Sequence, residues 1–384
     1  VRRPAGSPLP TRAVRSKAWY LVHKWTSLAC TLFMLVVCVS GLPLIFRDEI
    51  VDWLDAPPSW PSVTPGTSPP TLDRLVDQTL QRYPTHRIVE IEVARDSASV
   101  IMALGPGHEA PSGASPIRLQ YDARTGLLLQ AMDSAGEGPG TRIMNVMTRL
   151  HIDLYARLPG QLYLGFMALL LAVAVISGAV LYHPYMKKTP FGTVRAARAP
   201  RLKWLDLHNL LGIVTLVWTL MMGVTGAIHE LAVPLFRYWL SHDVRTAVAM
   251  AGGNPAPGSS QLASVQQAYA TAKAAVPGRL VESLRFPDAG LGLSHHYLLW
   301  AKGATPLAAH LFDGVLVDAR TGRLTAVLEM PWYLRVLQFS RPLHYGDTAG
   351  LPLKIIWAAL DLIMIVILLS GLYLWRKRKV QETK

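Results

Sequence analysis

Four stretches of this sequence, Leu28 to Phe46, Leu162 to Tyr182, Leu210 to Ile228 and Ile355 to Trp375, are apolar for long enough to be membrane spans. As helices rising about 1.5 Å per residue, each crosses the roughly 30 Å of hydrocarbon in a bilayer. The rest of the chain must fold around four such helices. Composition agrees, with 51% apolar residues, 16% charged residues and a mean hydropathy of +0.27, where soluble domains carry about a quarter charged. The first run is too long for a signal peptide and no small-residue cleavage site follows it, so it reads as a retained helix.

Lys and Arg beside the ends of the runs orient them. Residues 1–24, the loop 183–207 and the tail from Arg376 hold 17 basic and 2 acidic residues, and everything else holds 21 basic and 23 acidic. The net charge of +13 is therefore a topology signal that needs no nucleic-acid partner. It predicts a membrane protein with both termini cytoplasmic and two large regions outside. The expected order is a cytoplasmic tail (1–18), a first span (19–46) and a periplasmic domain (47–150). A second span with a periplasmic lead-in (151–183), a cytoplasmic loop (184–207), a third span (208–228) and a second periplasmic domain (229–343) follow. A fourth span with its lead-in (344–375) and a cytoplasmic tail (376–384) complete it.

Each outside region opens on a breaker-rich tether, Pro57 to Pro70 in one and Gly252-Gly253-Asn254-Pro255 in the other. Next comes a helical pattern (Leu72 to Tyr83; Leu262 to Ala275), and then runs of alternating β-formers starting at Ile88 to Val93 and Leu280 to Phe286. Two α+β units, each a helix plus an antiparallel sheet, are expected. They belong to an internal duplication that can be counted. His23 precedes Gly41 by 18 residues, as His208 precedes Gly226; His151 precedes Gly178 by 27, as His344 precedes Gly371. Asp-Ala-Arg-Thr-Gly occurs at 122–126 and 318–322 as a turn between strands.

Equivalent residues of two similar halves tend to face each other across a pseudo-two-fold axis. His23 and His208 fall at the cytoplasmic end, and His151 and His344 just outside the periplasmic end, before breaks at Pro159-Gly160 and Gly350-Leu351-Pro352. Two neutral imidazoles from facing helices suit the axial positions of a haem iron. Zinc, the chemical competitor, wants three or four ligands at compact Cys/His spacings that are absent here. The 18-residue interval is five helical turns and places Gly41 on the face of His23, where it admits a flat macrocycle or another helix. His183 and His229 have no counterpart in the other half and stand as secondary ligand candidates. Asp361, an acid well inside a span, either bonds an imidazole N–H, carries a proton, or is neutral within the bundle. Cys30 and Cys38 read as core packing, and no C-x-x-C-H is present for covalent haem attachment.

His23-Lys24-Trp25-Thr26-Ser27-Leu28 with Arg47-Asp48-Glu49, Leu150-His151-Ile152-Asp153-Leu154 with Pro159-Gly160, Asp206-Leu207-His208-Asn209, and Leu343-His344 with Gly371-Leu372-Tyr373-Leu374-Trp375 together resemble the PepSY-associated transmembrane family. Within it, the pattern is most similar to the FoxB-type inner-membrane ferric-siderophore reductases. The resemblance implies four spans, two intertwined periplasmic PepSY-like domains, two b-type haems held by His23, His208, His151 and His344, and electron delivery to ferric siderophores for iron uptake. No dinucleotide fingerprint is present, so quinol or a separate reductase is the expected donor. Tyr297, Trp300, Trp332, Tyr333, Arg335 and Arg341 are candidates for a docking surface. The alternatives are a siderophore or haem permease or binding subunit, a PepSY module regulating a periplasmic protease, and a di-haem cytochrome serving a periplasmic protein.

Overall fold

A computed structural model describes residues 11–56, 60–62, 68–93, 98–107, 116–132, 137–186, 190–195, 199–250, 262–305 and 308–382. Most of both tethers (57–59, 63–67 and 251–261), residues 1–10, and 187–189 and 196–198 of the basic loop lie outside the described residues.

The elements in chain order are α1 (Thr11–Ile45), α2 (Arg47–Leu54), α3 (Leu72–Arg82), β1 (His86–Val93), β2 (Ser99–Pro106), β3 (Ile117–Asp122) and β4 (Leu128–Met132). There follow α4 (Pro139–Ile152), α5 (Arg157–Met186), α6 (Pro200–Val214), α7 (Leu216–Glu230), α8 (Ala232–Trp239), a π-helical turn (Leu240–Val244) and α9 (Arg245–Met250). The chain ends with α10 (Val265–Ala275), β5 (Arg279–Arg285), β6 (His296–Gly303), β7 (Phe312–Asp318), β8 (Leu324–Leu328), α11 (Trp332–Tyr345) and α12 (Leu351–Glu382). They form two compact units, one of residues 1–50, 143–233 and 340–384, the other of 51–142 and 234–339.

The first unit is helical. Lys17–Ile45, Arg157–His183 and Leu351–Lys377 are each long and apolar enough to cross a membrane. On α1, Trp25, Leu32 and Val39 recur every seventh residue on an exposed face, whereas Cys30, Met34 and Ser40 are buried against neighbouring helices. Apolar outside and small or polar inside is the pattern of a lipid-facing helix.

The third apolar run is not one straight helix. α6 and α7 meet at Thr215 with a 68° bend and reach spanning length only together. The Thr215 hydroxyl bonds the Leu211 carbonyl at 2.8 Å, and Thr219 Oγ1 lies 3.4 Å from it. Back-bonding of this kind bends helices. The expected break at Pro159-Gly160 also moves. Residues 153–156 form the turn, with Leu154, Tyr155 and Arg157 at positive φ, while Pro159 sits in the first turn of α5, where proline is tolerated.

The second unit holds one antiparallel sheet of order β4-β3-β2-β1-β5-β6-β7-β8, not two separate sheets. β1 and β5 join its halves through Glu90↔Arg285, Ile91↔Leu284 and Glu92↔Ser283. α3 and α10 cover one face, burying Leu75, Ala268 and Ala272 against Ile91, Met102, Leu119, Leu299 and Val315. The two helices cap one another. Asp73 on α3 accepts from Ser264 Oγ (2.5 Å) and Val265 N (2.6 Å) at the start of α10, and Gln266 Oε1 accepts from Leu72 N at 3.0 Å.

Each Asp-Ala-Arg-Thr-Gly sequence is a turn organised by its aspartate. Asp122 accepts from Arg124 N, Nε and Nη2, and Asp318 from Arg320 N, Thr321 N and the Thr321 hydroxyl. Each ends on a glycine in the left-handed region, Gly126 at φ 75° and Gly322 at φ 68°.

Candidate functional site

The helical unit assembles His23, His208, His151 and His344 into two pairs. The rings of His23 (α1) and His208 (α6) have centroids 6.4 Å apart at 71°, and those of His151 (α4) and His344 (α11) are 6.4 Å apart at 63°. An imidazole nitrogen bonds a first-row metal at about 2 Å. The ring centre lies about 1 Å behind that nitrogen, so two rings facing each other across one metal stand about 6 Å apart. Each pair has that separation.

Every one of these rings rests on a glycine of another helix. His23 lies against Gly178 (α5), and His151 against Gly41 (α1). His208 lies against Gly371 (α12), and His344 against Gly226 (α7). A Cβ on Gly41 or Gly178 would come within 2.8 or 3.0 Å of the imidazole Cε1, so only glycine fits these two seats without displacement. The glycine reading from sequence is corrected here: Gly41 shares a face with His23 but stands about 27 Å away along α1, and the ring it admits is that of His151.

The residue before each seat glycine carries a hydroxyl that meets the same imidazole. Nδ1 lies 3.4 Å from Ser177 Oγ in His23, 3.5 Å from Ser40 Oγ in His151, 2.8 Å from Ser370 Oγ in His208 and 2.9 Å from Thr225 Oγ1 in His344. Carbonyls one turn before the glycines add bonds to the same Nδ1, from Ala174 (2.8 Å) to His23, Val37 (2.9 Å) to His151 and Ile367 (3.2 Å) to His208. A carbonyl only accepts, so Nδ1 carries the proton in these three rings, and Nε2 keeps its lone pair as a ligand. His151 and His344 stand outside the spanning helices, and burial lowers both below the ordinary imidazole pKa, which keeps them neutral.

Around His23 and His208 opens a cavity of about 510 Å³, lined also by Lys24, Arg201, Asn209 and Gly212. It lies within the usual range for cofactor sites, about 300–1,000 Å³. Arg201 Nε is buried there without a hydrogen-bond partner among the described residues.

The secondary candidates separate. His229 joins the second pair, its ring 4.9 Å from that of His344 and 5.6 Å from Tyr345, and its buried Nε2 has no partner among the described residues. His183 is exposed near the end of α5 and does not line the cavity at His23. With the bend at Thr215, His208 and His229 do not lie on one straight helix. Among the described residues no group of three or more His, Cys, Asp or Glu is arranged to hold a metal ion.

Asp361 is buried on α12 with Oδ2 unpartnered among the described residues, and its carboxyl meets the thiol of Cys38. The Asp361 carboxyl on α12 is thus a neighbour of Cys38 that the sequence of α1 could not show. Three of the docking candidates are structural. Tyr297 is fully buried with its hydroxyl donating to Ala263 O, Trp300 packs on Trp239 and Phe236, and Arg335 is bonded to buried Asp313. Trp332 is exposed, and Arg341 lies over the ring of Tyr345. His108, a histidine without an assigned role, lies outside the described residues.

Residues 20–378 match the family described as the PepSY-associated TM region. The chain belongs to this family. It is a membrane protein with a PepSY-type transmembrane region and an antiparallel sheet unit. It is also similar to the uncharacterized protein PA4219 of Pseudomonas aeruginosa, 24% identical over 260 residues, or 62% of this chain and 64% of that protein. The chain thus spans a little under two thirds of that relative's length.

Proposed function

We propose that the protein is a membrane cytochrome in which His23 with His208, and His151 with His344, each hold one haem b, and that it reduces ferric siderophores. The observation that carries the reading is the pair of 6.4 Å ring separations, each joining one imidazole from the N-terminal half of the chain to one from the C-terminal half. The cavity at His23, its glycine walls and its buried Arg201 Nε support it. Haem, when bound, supplies a one-electron carrier.

The chain's residues supply the rest. Four seated imidazoles present neutral Nε2 lone pairs, and Lys24 and Arg201, which line the cavity, would offer cations to the carboxylates of a haem bound there. On this reading the two halves are a duplication, α6 and α7 make a fourth, bent span, and the basic segments stand in the cytoplasm of an inner membrane. One electron from quinol or a separate reductase reduces Fe(III) in its chelate to Fe(II). Hydroxamate siderophores hold Fe(II) far more weakly, so the metal leaves and the chelator survives.

The test is a pyridine haemochrome assay on the purified protein, followed by reoxidation of the reduced protein with a ferric hydroxamate in the presence of an Fe(II) trap. Two haems b per chain are expected, with Fe(II) appearing as the protein reoxidises. Alanine at His23 or His208 removes one haem, and at His151 or His344 the other, whereas alanine at His183 removes none. A haem-free protein refutes the cytochrome. A haem protein that yields no Fe(II) refutes the reductase and leaves a cytochrome serving a protein partner.

A further inference from the structure

The four seats are not alike, and the difference runs between the halves of the chain. His23 and His151 place Nδ1 at 2.8 and 2.9 Å from a backbone carbonyl, with the serine hydroxyls of Ser177 and Ser40 at 3.4 and 3.5 Å. His208 and His344 reverse this order. Their Nδ1 atoms lie 2.8 and 2.9 Å from Ser370 Oγ and Thr225 Oγ1. The Ile367 carbonyl stands off at 3.2 Å from His208, and among the described residues Thr225 gives His344 its sole Nδ1 hydrogen bond.

The hydroxyls can only be acceptors here. Thr225 donates its proton to Met221 O at 2.7 Å, and Ser370 donates to Ile367 O at 2.8 Å. Each therefore turns a lone pair toward the imidazole N–H, giving a chain from Nδ1–H to Oγ–H to a carbonyl. An acceptor on the far nitrogen of a ligating histidine fixes its tautomer and raises its basicity.

We infer that Thr225 and Ser370 are positioning residues that set the donor strength of His344 and His208, so that in each pair one imidazole is tuned by a side chain and the other by the backbone. This inference rests on the haem reading above. A stronger imidazole donor favours Fe(III), so loss of the acceptor raises the midpoint potential of that haem. The effect should be larger at His344, which has no second acceptor, than at His208, where the Ile367 carbonyl can close in.

The experiment is spectroelectrochemical titration of the haem-loaded protein carrying Thr225→Val, Ser370→Ala, Ser177→Ala or Ser40→Ala, with haem content and low-temperature EPR measured alongside. Thr225→Val keeps the side-chain shape and removes the hydroxyl. It should raise the potential of the His151–His344 haem, move its EPR g-values, and weaken its retention by about 10- to 100-fold. Ser370→Ala should raise the other potential by less. Ser177→Ala and Ser40→Ala should leave both potentials in place, and Thr225→Ser should restore the wild-type value. If Ser40→Ala or Ser177→Ala shifts a potential as far as Thr225→Val, or if Thr225→Val with its haem bound shifts nothing, the inference fails while the cytochrome stands. A wild-type protein without haem b overturns the cytochrome and this inference together.

Discussion

Gly41→Ala gives the sharpest test of how the histidines are seated. The added methyl carbon would stand 2.8 Å from His151 Cε1 and 3.1 Å from Nδ1, where carbon atoms in good contact stand about 3.5–4.0 Å apart. Either the ring shifts or α1 and α4 separate. Overpacking of this kind costs about 1–3 kcal/mol, and a shifted ring also strains the 2.9 Å bond from Nδ1 to Val37 O, worth about 1 kcal/mol. Gly226 is the control in the other half. A methyl there meets His344 Cε1 at 3.5 Å, an ordinary contact, and alanine in place of glycine gains about 0.5–1 kcal/mol within a helix. Gly178 at 3.0 Å and Gly371 at 3.4 Å fall between the two. Thermal unfolding of the four alanine variants in one detergent should therefore rank them Gly41, Gly178, Gly371 and Gly226, from least to most stable. Gly41→Ala melting at or above Gly226→Ala would refute the seating, because only the ring contact distinguishes two helical glycines so alike in sequence.

Two predictions concern the sheet unit. Asp55 accepts from Gly140 N (2.7 Å), Thr141 N (3.0 Å) and the Thr141 hydroxyl (2.6 Å) at the start of α4, and the Thr141 hydroxyl, first among these, holds its pKa below the ordinary carboxylate value. Its stabilisation is thus complete above the unfolded-state pKa and is lost as pH falls through the lower folded value, so Asp55→Ala should cost about 1–2 kcal/mol at pH 7, and the gap in melting temperature should close below about pH 4. Asp73→Ala removes the carboxylate that caps α10 from α3 and should cost a similar 1–2 kcal/mol or so. Hydrogen exchange should show early opening at Val265 to Gln267, and unchanged protection there would refute the cross-cap.

Equal spacings singled out His23, His208, His151 and His344, and the structure brings them together as two pairs. The strands and sheet helices were legible as well, because alternation and breakers are local signals; α3 (Leu72–Arg82) and β5 (Arg279–Arg285) fall on the expected residues to within one position. What joins distant segments was not. Five turns of helix put Gly41 on the face of His23, but a shared face is not a shared place, and α4 alone decides which ring Gly41 receives. The hydroxyls of Ser40, Ser177, Thr225 and Ser370 stood in the sequence as four Ser/Thr-Gly pairs, yet their role depends on imidazoles arriving from other helices. Likewise nothing in the strand sequences of β1 or β5 says that Ile91 will pair with Leu284 and merge two expected sheets into one. The bend at Thr215 is a side-chain choice between solvent, lipid and the Leu211 carbonyl, which an apolar run does not record.

The seats and the pairs divide the chain differently, and this division says what a bound metal would do mechanically. Each imidazole rests within its own half: His23 and His151 on α5 and α1, His208 and His344 on α12 and α7. Each pair, by contrast, takes one imidazole from each half. The seats therefore rigidify each half separately, and a ligand between two Nε2 atoms would tie one half to the other at both ends of the bundle. Two such ties about 27 Å apart along α1 restrain rotation of the halves as well as their separation. The close seats at Gly41 and Gly178 fall in the N-terminal half, on the continuous helices α1 and α5, while the looser seats at Gly226 on α7 and Gly371 on α12 fall in the C-terminal half. The N-terminal half thus holds its imidazoles by packing and backbone carbonyls, and the C-terminal half relies on Thr225 and Ser370. A substitution that changes one imidazole's environment with the least disturbance to the bundle therefore has to be made in the second half.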